Sequence, residues 1–377
     1  MGMTLTEIAE QLQNTDKKVQ LIYAFNGTGK TRLSRAFKAL IAPKAEGEEA
    51  QASDLAAKKI LYYSAFTEDL FYWDNDLGRD AEPKLKIQPN AFTKWVLEEQ
   101  GQDQSITTAF QRYTSDKLTP HFSADFSSVS FSFERGNQQP EPHIKISKGE
   151  ESNFIWSVFN ALLEQVIAEL NIPEVANRST DAFNNLTYVF VDDPVSSLDE
   201  NHLIELAVNL AGLIKSSESG LKFVITTHSP LFYNVLHNEL DLSKRGKNDG
   251  CYLLDRGEDG TFDLTVKYGD SNKGFSYHLH LLQTIEQAIA DGKVERFHFT
   301  LLRNLYEKTA SFLGYPKWAE LLPDDKQLYY SRIINFTSHS TLSNEAVAQP
   351  TPAEQATVEL LLNHLKNSHA FWQPQSA

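Results

Sequence analysis

A single cysteine in 377 residues, Cys251, excludes an internal disulfide. It fits a reducing compartment, so a cytoplasmic setting is expected. Long apolar runs are missing as well. No stretch approaches the roughly 20 apolar residues of a membrane-spanning helix, and no membrane partner is expected. The start, Met1-Gly2-Met3-Thr4-Leu5-Thr6, lacks the basic segment and apolar run of a secretory signal. Positive charge is in deficit: 35 Lys and Arg stand against 50 Asp and Glu, a formal net charge of −15. That balance argues against a general nucleic-acid coat, which needs many phosphate contacts. Internal repeats and heptad runs are also absent, so no long coiled-coil arm is expected.

The charge deficit is uneven. Residues 266–377 carry about ten Lys and Arg against about eleven Asp and Glu, and about six of the eleven histidines. Contact with RNA is therefore more plausible at that end than the overall charge suggests.

What the chain does contain is a set of motifs in a fixed order. Ala24-Phe25-Asn26-Gly27-Thr28-Gly29-Lys30-Thr31 follows an apolar run and precedes a helical pattern. A loop of backbone N–H groups feeding a helix N-terminus meets phosphate charge at short range. Asn26, Gly27, Thr28 and Gly29 form that loop, Lys30 reaches the outer phosphates, and Thr31 helps to hold Mg2+. Ala24 stands where such loops usually begin with glycine. Ile146-Ser147-Lys148-Gly149-Glu150 reads as an ABC-type signature, with Ser147 and Gly149 facing the nucleotide of a second subunit. Tyr188–Asp192 is an apolar strand ending in a carboxylate, the place for a metal-holding group, so Asp192 joins Thr31 as a Mg2+ ligand. Asp193 takes the position of the usual catalytic glutamate, and Ser196–Asp199 follow. Val224–His228 is a strand ending in a candidate γ-phosphate sensor, His228. Any one of these segments is weak evidence; four in this order predict an α/β ABC-type P-loop NTPase domain that binds a nucleoside triphosphate with Mg2+, GTP or ATP being undistinguished by the motifs. Shared sites imply a homodimer or a higher even oligomer. Gln88 is the nearest candidate for a Q-loop residue.

Short strands at Val19–Ala24, Lys59–Ser64, Leu186–Val191 and Leu221–Thr226 alternate with helical patterns, the mark of a doubly wound layer. Ser127–Phe133 and Ile144–Ile146 read as a hairpin around Gly136–Pro142, and a long helix is expected over Ser152–Leu170. Pro43–Lys58 reads as a loop or insertion. From Tyr277 onward the pattern is helical apart from breaks at Gly314-Tyr315-Pro316 and Gln349–Pro352. This places an NTPase domain over 1–265 and a mainly α-helical domain over 266–377.

In the second domain Arg303 and Glu307 lie four apart on one helical face. A later segment, Ser331–Ser340, ends in a polar cluster around His339. By spacing alone the first pair reads as a surface ion pair and His339 as a surface or capping histidine.

The chain resembles the bacterial anticodon nucleases typified by PrrC, and more distantly by RloC. The resemblance is closest over Gln20–Thr31, Ile60–Pro89, Ile146–Ser157, Asp192–Leu213 and Tyr268–Ser343. It implies an ABC-type nucleotidase joined to a ribonuclease domain of the HEPN kind. It also implies catalytic roles for Arg303, Glu307 and His339, with Arg332 as a second candidate arginine. Tyr268–Lys273 resembles the family's own box, in which Asp270 is implicated in reading the wobble base. The resemblance further implies cleavage of the lysine tRNA anticodon loop 5′ of the wobble base, leaving 2′,3′-cyclic phosphate and 5′-hydroxyl ends without a metal. Phage defence, silencing by a type I restriction–modification complex, GTP as the hydrolysed nucleotide, and dTTP as a stabilising ligand belong to the same expectation. A DNA-associated ABC ATPase of the SMC or RecF type would share the head motifs, but it predicts a coiled coil or a DNA-binding surface. A purely dimerising helical tail is the third reading.

Overall fold

The first helix, α1 (Leu5–Asn14), starts at a reciprocal cap. The Thr4 side chain accepts from the Glu7 N–H, and the Glu7 carboxylate accepts from the Thr4 N–H at 2.7 Å. Its apolar stripe, Leu5, Ile8, Ala9 and Leu12, is buried. The next segment, Val19–Tyr23, is buried at every residue. Strands buried on both faces belong in a parallel sheet covered by helices, and this one is β1. The computed structural model describes residues 2–43, 58–64, 71–74, 82–88, 91–136, 140–195, 200–242, 250–257, 259–267, 277–338 and 350–369. The chain divides into two units, Met1–Asp270 and Ser271–Ala377.

In the first unit, α2 (Lys30–Ile41) follows the glycine loop, and β2 (Ile60–Ser64) comes next in the described chain. A second layer then intervenes: β3 (Phe71–Asp74), β4 (Lys84–Ile87), α3 (Ala91–Lys94) running into a π-helical turn at Trp95–Glu99, α4 (Asp103–Tyr113), β5 (Leu118–Phe122) and β6 (Ser128–Phe133). After it come α5 (Lys148–Leu170), β7 (Tyr188–Asp192), α6 (Glu200–Ser216), β8 (Lys222–Thr227), α7 (Pro230–Glu239), β9 (Cys251–Arg256) and β10 (Phe262–Val266). The main sheet has the order β10-β9-β1-β8-β7-β2. All neighbours are parallel except β10, which pairs antiparallel with β9. The smaller sheet, β3-β4-β6-β5, is antiparallel throughout.

The small sheet packs on α5 through aromatic rings. Phe131 and Phe154 meet edge-on at 5.3 Å, as do Phe110 and Phe154 at 5.6 Å. Edge-to-face pairs of this kind contribute about 0.5–1.5 kcal/mol beyond their buried area. Two sequence readings need correction here. The strand partners of β6 are β5 and β4, not Ile144–Ile146. Among the described residues, what remains of the expected hairpin is the reciprocal Phe133–Glu141 pair, at 3.0 and 2.9 Å, and the Ile144 N–H bond to the Phe131 carbonyl at 2.9 Å. The long helix also starts earlier than Ser152: Ser147 caps it, and Lys148, Gly149 and Glu150 form its first turn.

The second unit is helical: α8 (Tyr277–Ala290), α9 (Arg296–Leu313), a 3₁₀ turn at Trp318–Leu321, α10 (Lys326–Ser338) and α11 (Pro352–Ser368). Its core includes Leu281, Ile285, Leu302, Leu305, Tyr306, Ile333, Leu361 and Leu365. The buried Tyr306 hydroxyl donates to the Leu361 carbonyl at 2.9 Å, tying α9 to α11. No described helix of either unit is long and apolar enough to cross a membrane. The longest described helix, α5, has 23 residues.

Candidate functional sites

In the first unit the phosphate-loop strand β1 and the carboxylate strand β7 both pair with β8. Their C-terminal ends therefore flank that of β8, with Asp192 opposite Thr226 and Tyr23 opposite Thr227. Crevices at the carboxyl ends of parallel strands are the usual ligand sites of open α/β sheets. Gly27 and Gly29 hold left-handed backbone, at φ 83° and 111°. Gly29 caps α2, and a Cβ there would sit 3.1 Å from the Phe262 ring. The left-handed backbone thus favours glycine at both positions, and at Gly29 the ring would also have to give by a few tenths of an ångström. Ala24 is buried, and its N–H bonds the Thr227 carbonyl at 3.0 Å, so the small residue is what the strand end accommodates.

Lys30 is 7% exposed. Its Nζ lies 3.3 Å from the Ala24 and Phe25 carbonyls, 3.2 Å from Asn26 Oδ1 and 3.4 Å from Asp193 Oδ2. Asp193 has a left-handed backbone, φ 49°, unusual for a non-glycine residue. That turn brings its carboxylate to His228, whose Nδ1 is 2.8 and 2.9 Å from the two oxygens and whose N–H donates at 3.2 Å. Burial pushes the Asp193 carboxyl up, but the His228 bonds and the Lys30 charge together hold it below the usual carboxylate range. Asp193 is thus kept ionised between a lysine and a histidine.

Asp192 behaves oppositely. Its partners are neutral hydroxyls: Thr226 at 2.8 Å, Ser34 at 3.1 Å and Tyr62 at 3.5 Å, with Thr31 also bonded. Burial outweighs these bonds and raises its carboxyl above the usual range. A divalent cation held by Thr31 and Asp192 would supply positive charge where burial disfavours a bare carboxylate. The residues therefore fit Mg2+, which bound with nucleotide would screen the phosphate charge. Ser34, Thr226 and Tyr62 were not singled out in the sequence. Hydroxyls facing a strand-end carboxylate have no local spacing that marks them.

The signature residues lie at the start of α5. Ser147 Oγ accepts from the Glu150 N–H at 3.3 Å, and the Glu150 carboxylate accepts from the Ser147 N–H at 2.7 Å. Ser147 is exposed, and its hydroxyl proton remains available to an outside acceptor. Glu151 is buried and anchors this turn, accepting from Trp73 Nε1 at 2.9 Å and pairing with Lys148 at 3.0 Å. Gly149 sits half-buried in the same turn. Gln88 directly follows β4 and is exposed. Ser196–Asp199 lie outside the described residues.

In the second unit Leu302, Leu305 and Tyr306 are fully buried, and burying each such side chain is worth about 1.5–3 kcal/mol. That fixes the rotation of α9 and leaves Arg303 and Glu307 on its open side. Arg303 Nε donates to Glu307 Oε1 at 2.7 Å, and both side chains are about a third exposed, 34% and 37%. Glu307 also lines a cleft of about 730 Å³ with Tyr315, Lys317, Trp318, Lys326 and Tyr330. Two histidines of this unit have structural tasks. His298 Nδ1 accepts from the Glu295 N–H at 2.8 Å at the start of α9. His278 Nε2 bonds Thr309 at 2.9 Å, and burial, helped by Lys308, lowers its pKa. His339 and Asp270 lie outside the described residues, as does the side chain of Arg332.

Residues 135–359 match a family model described as an AAA domain. That match implies nucleotide binding with Mg2+, in agreement with the loop and strand-end geometry. Two solved SMC head structures show distant likeness. One, bound to the C-terminal winged-helix domain of ScpA, is 11% identical with a TM-score of 0.34, over 68% of this chain and 91% of that one. The other, from Thermotoga maritima, is 14% identical with a TM-score of 0.29, over 68% and 92%. Both are too distant to characterise the chain. A curated protein of Escherichia coli named anticodon nuclease is 69% identical over 398 residues, spanning 100% of this chain and 99% of its own length. On that identity the chain belongs to the anticodon nuclease family.

Proposed function

We propose that the chain is a nucleotide-gated endoribonuclease that cuts the tRNA anticodon loop in phage defence, with lysine tRNA as target and cleavage 5′ of the wobble base. The observation that carries this reading is the full-length identity of 69% to the E. coli anticodon nuclease. The Arg303–Glu307 pair beside an open cleft supports it. An unpaired loop is the natural target, because A-form helices hide their base edges.

In the proposed reaction the 2′-hydroxyl loses its proton to a base and its oxygen attacks the adjacent phosphorus. The P–O5′ bond breaks and the leaving oxygen receives a proton. Glu307 and His339 share the proton transfers, and a HEPN-like helical domain would present them together. Arg303, or Arg332, balances the charge gathering on the phosphoryl oxygens. The products are a 2′,3′-cyclic phosphate and a 5′-hydroxyl, and no metal is needed at the scissile bond. The test separates this site from the nucleotide site: protein activated with GTP and Mg2+ is given excess chelator before RNA is added. Cleavage is expected to persist and to leave cyclic phosphate, while ends bearing 3′-hydroxyl and 5′-phosphate would assign the chemistry to a metal.

The first unit is proposed to work as an ABC-type head that dimerises through Ser147 and Gly149, giving a homodimer or higher even oligomer. GTP or ATP is hydrolysed there, and dTTP stabilises the assembly. A type I restriction–modification complex is the proposed silencing partner. Asp270 is proposed to meet a donor or cationic modification on the wobble base, since a carboxylate would otherwise repel RNA. Asp270→Asn is expected to change preference among tRNAs with differently modified wobble bases while nucleotide hydrolysis is kept. An unchanged preference would leave Asp270 as a turn residue.

A further inference from the structure

The cleft beside Glu307 carries more than an acid–base pair requires. At about 730 Å³ it falls in the range of small-ligand sites. Gly314, with φ 81°, ends α9, and the Tyr315 N–H reaches back to the Ala310 carbonyl at 2.9 Å. This left-handed cap returns Tyr315 and Lys317 to the cleft that Glu307 lines. From α10 come Lys326 and Tyr330. The Trp318 and Tyr330 rings stack, with centroids 5.2 Å and planes 23° apart. Trp318 also packs on the helical core. Tyr315 and Tyr330 do not share that burial: 42% and 37% of their surface stays open. Their exposure adds little to the core, yet it opens two aromatic rings to the cleft that Glu307 lines. Lys317, Lys326 and Glu320 line it too, with Lys326 Nζ donating to the Glu320 carbonyl at 3.1 Å.

We propose that this cleft is a base-stacking subsite: an unpaired nucleotide next to the scissile phosphate extends the Trp318–Tyr330 stack against Tyr315, and Lys317 and Lys326 hold its backbone phosphate. The proposal rests on the nuclease reading above. Aromatic stacking with cationic flanks is how single-stranded nucleic acid is commonly gripped. Such stacking tolerates any base, and each stacked base is worth about 1–3 kcal/mol, or roughly 5- to 150-fold in affinity. It would position the loop without deciding its sequence.

The test uses the full chain, activated with GTP, on anticodon stem-loop RNA and on the same RNA made abasic on either side of the scissile phosphate. Tyr330→Ala is expected to raise KM about tenfold while kcat changes less than about twofold. Tyr330→Phe, which keeps the ring, is expected to recover most of the loss. On RNA abasic at the stacked position, wild type and Tyr330→Ala should share one KM. Tyr315→Ala repeats the comparison from a different element, should Tyr330→Ala prove to melt early. Wild-type KM and an unchanged abasic penalty in both alanine variants would overturn the subsite while leaving the nuclease intact. Failure of the wild type to cut any anticodon stem-loop would overturn the nuclease reading and the subsite together.

Discussion

His339→Ala is expected to slow anticodon cleavage by a factor of roughly a hundred or more, the usual size of a general acid–base contribution. Nucleotide hydrolysis by the first unit should be unaffected. The expectation follows from the chemistry of the cut. One group must take the 2′-hydroxyl proton and another must supply a proton to the leaving oxygen, and histidine changes charge nearest neutral pH. His298 and His278 are already engaged, one at the start of α9 and one with Thr309. Glu307→Gln should cost a comparable factor. The wild-type rate should rise and fall with pH around two apparent values that belong to the pair rather than to either residue. Single-turnover cleavage of lysine tRNA measures this. A His339→Ala rate within a few-fold of wild type would remove that residue from the reaction.

Lys30→Ala is expected to weaken nucleotide binding by about 10- to 150-fold, the equivalent of one charged hydrogen bond worth roughly 1.5–3 kcal/mol. The ammonium that meets loop carbonyls and Asp193 would exchange those carbonyls for phosphate oxygens. Asp193→Asn should act differently. It keeps the lysine and the loop, so binding survives, but it removes the ionised group between Lys30 and His228. Hydrolysis should slow and a nucleotide-bound dimer should accumulate. Titration with labelled GTP reads the first effect, and phosphate release the second. Equal hydrolysis rates for wild type and Asp193→Asn would contradict the role given to Asp193.

Much of this arrangement is legible along the chain because its signals are local. The glycine loop, the apolar strands ending at Asp192 and Thr227, and the helical face shared by Arg303 and Glu307 each occupy a few consecutive turns or residues. Of the small antiparallel sheet only β6 is legible, from the alternation over Ser127–Phe133. Strands β3 and β4 have four residues each, and β5 carries Pro120, so none of these three shows a sustained alternation. The Ser147–Glu150 spacing serves both a capping box and a nucleotide motif, and the motif reading alone places the start of α5 too late. The hydroxyl set around Asp192 joins α2, β2 and β8, and the aromatic cleft joins α9 with α10. Tertiary packing alone brings such groups together.

The most direct test exposes bulk tRNA to the full protein with GTP and Mg2+ and maps every new end by mass spectrometry. The expected result is one dominant cut in the anticodon loop of lysine tRNA, 5′ of the wobble base, with a 2′,3′-cyclic phosphate on one fragment and a 5′-hydroxyl on the other. Intact tRNA, scattered cuts outside anticodon loops, or ends bearing 3′-hydroxyl and 5′-phosphate would contradict it.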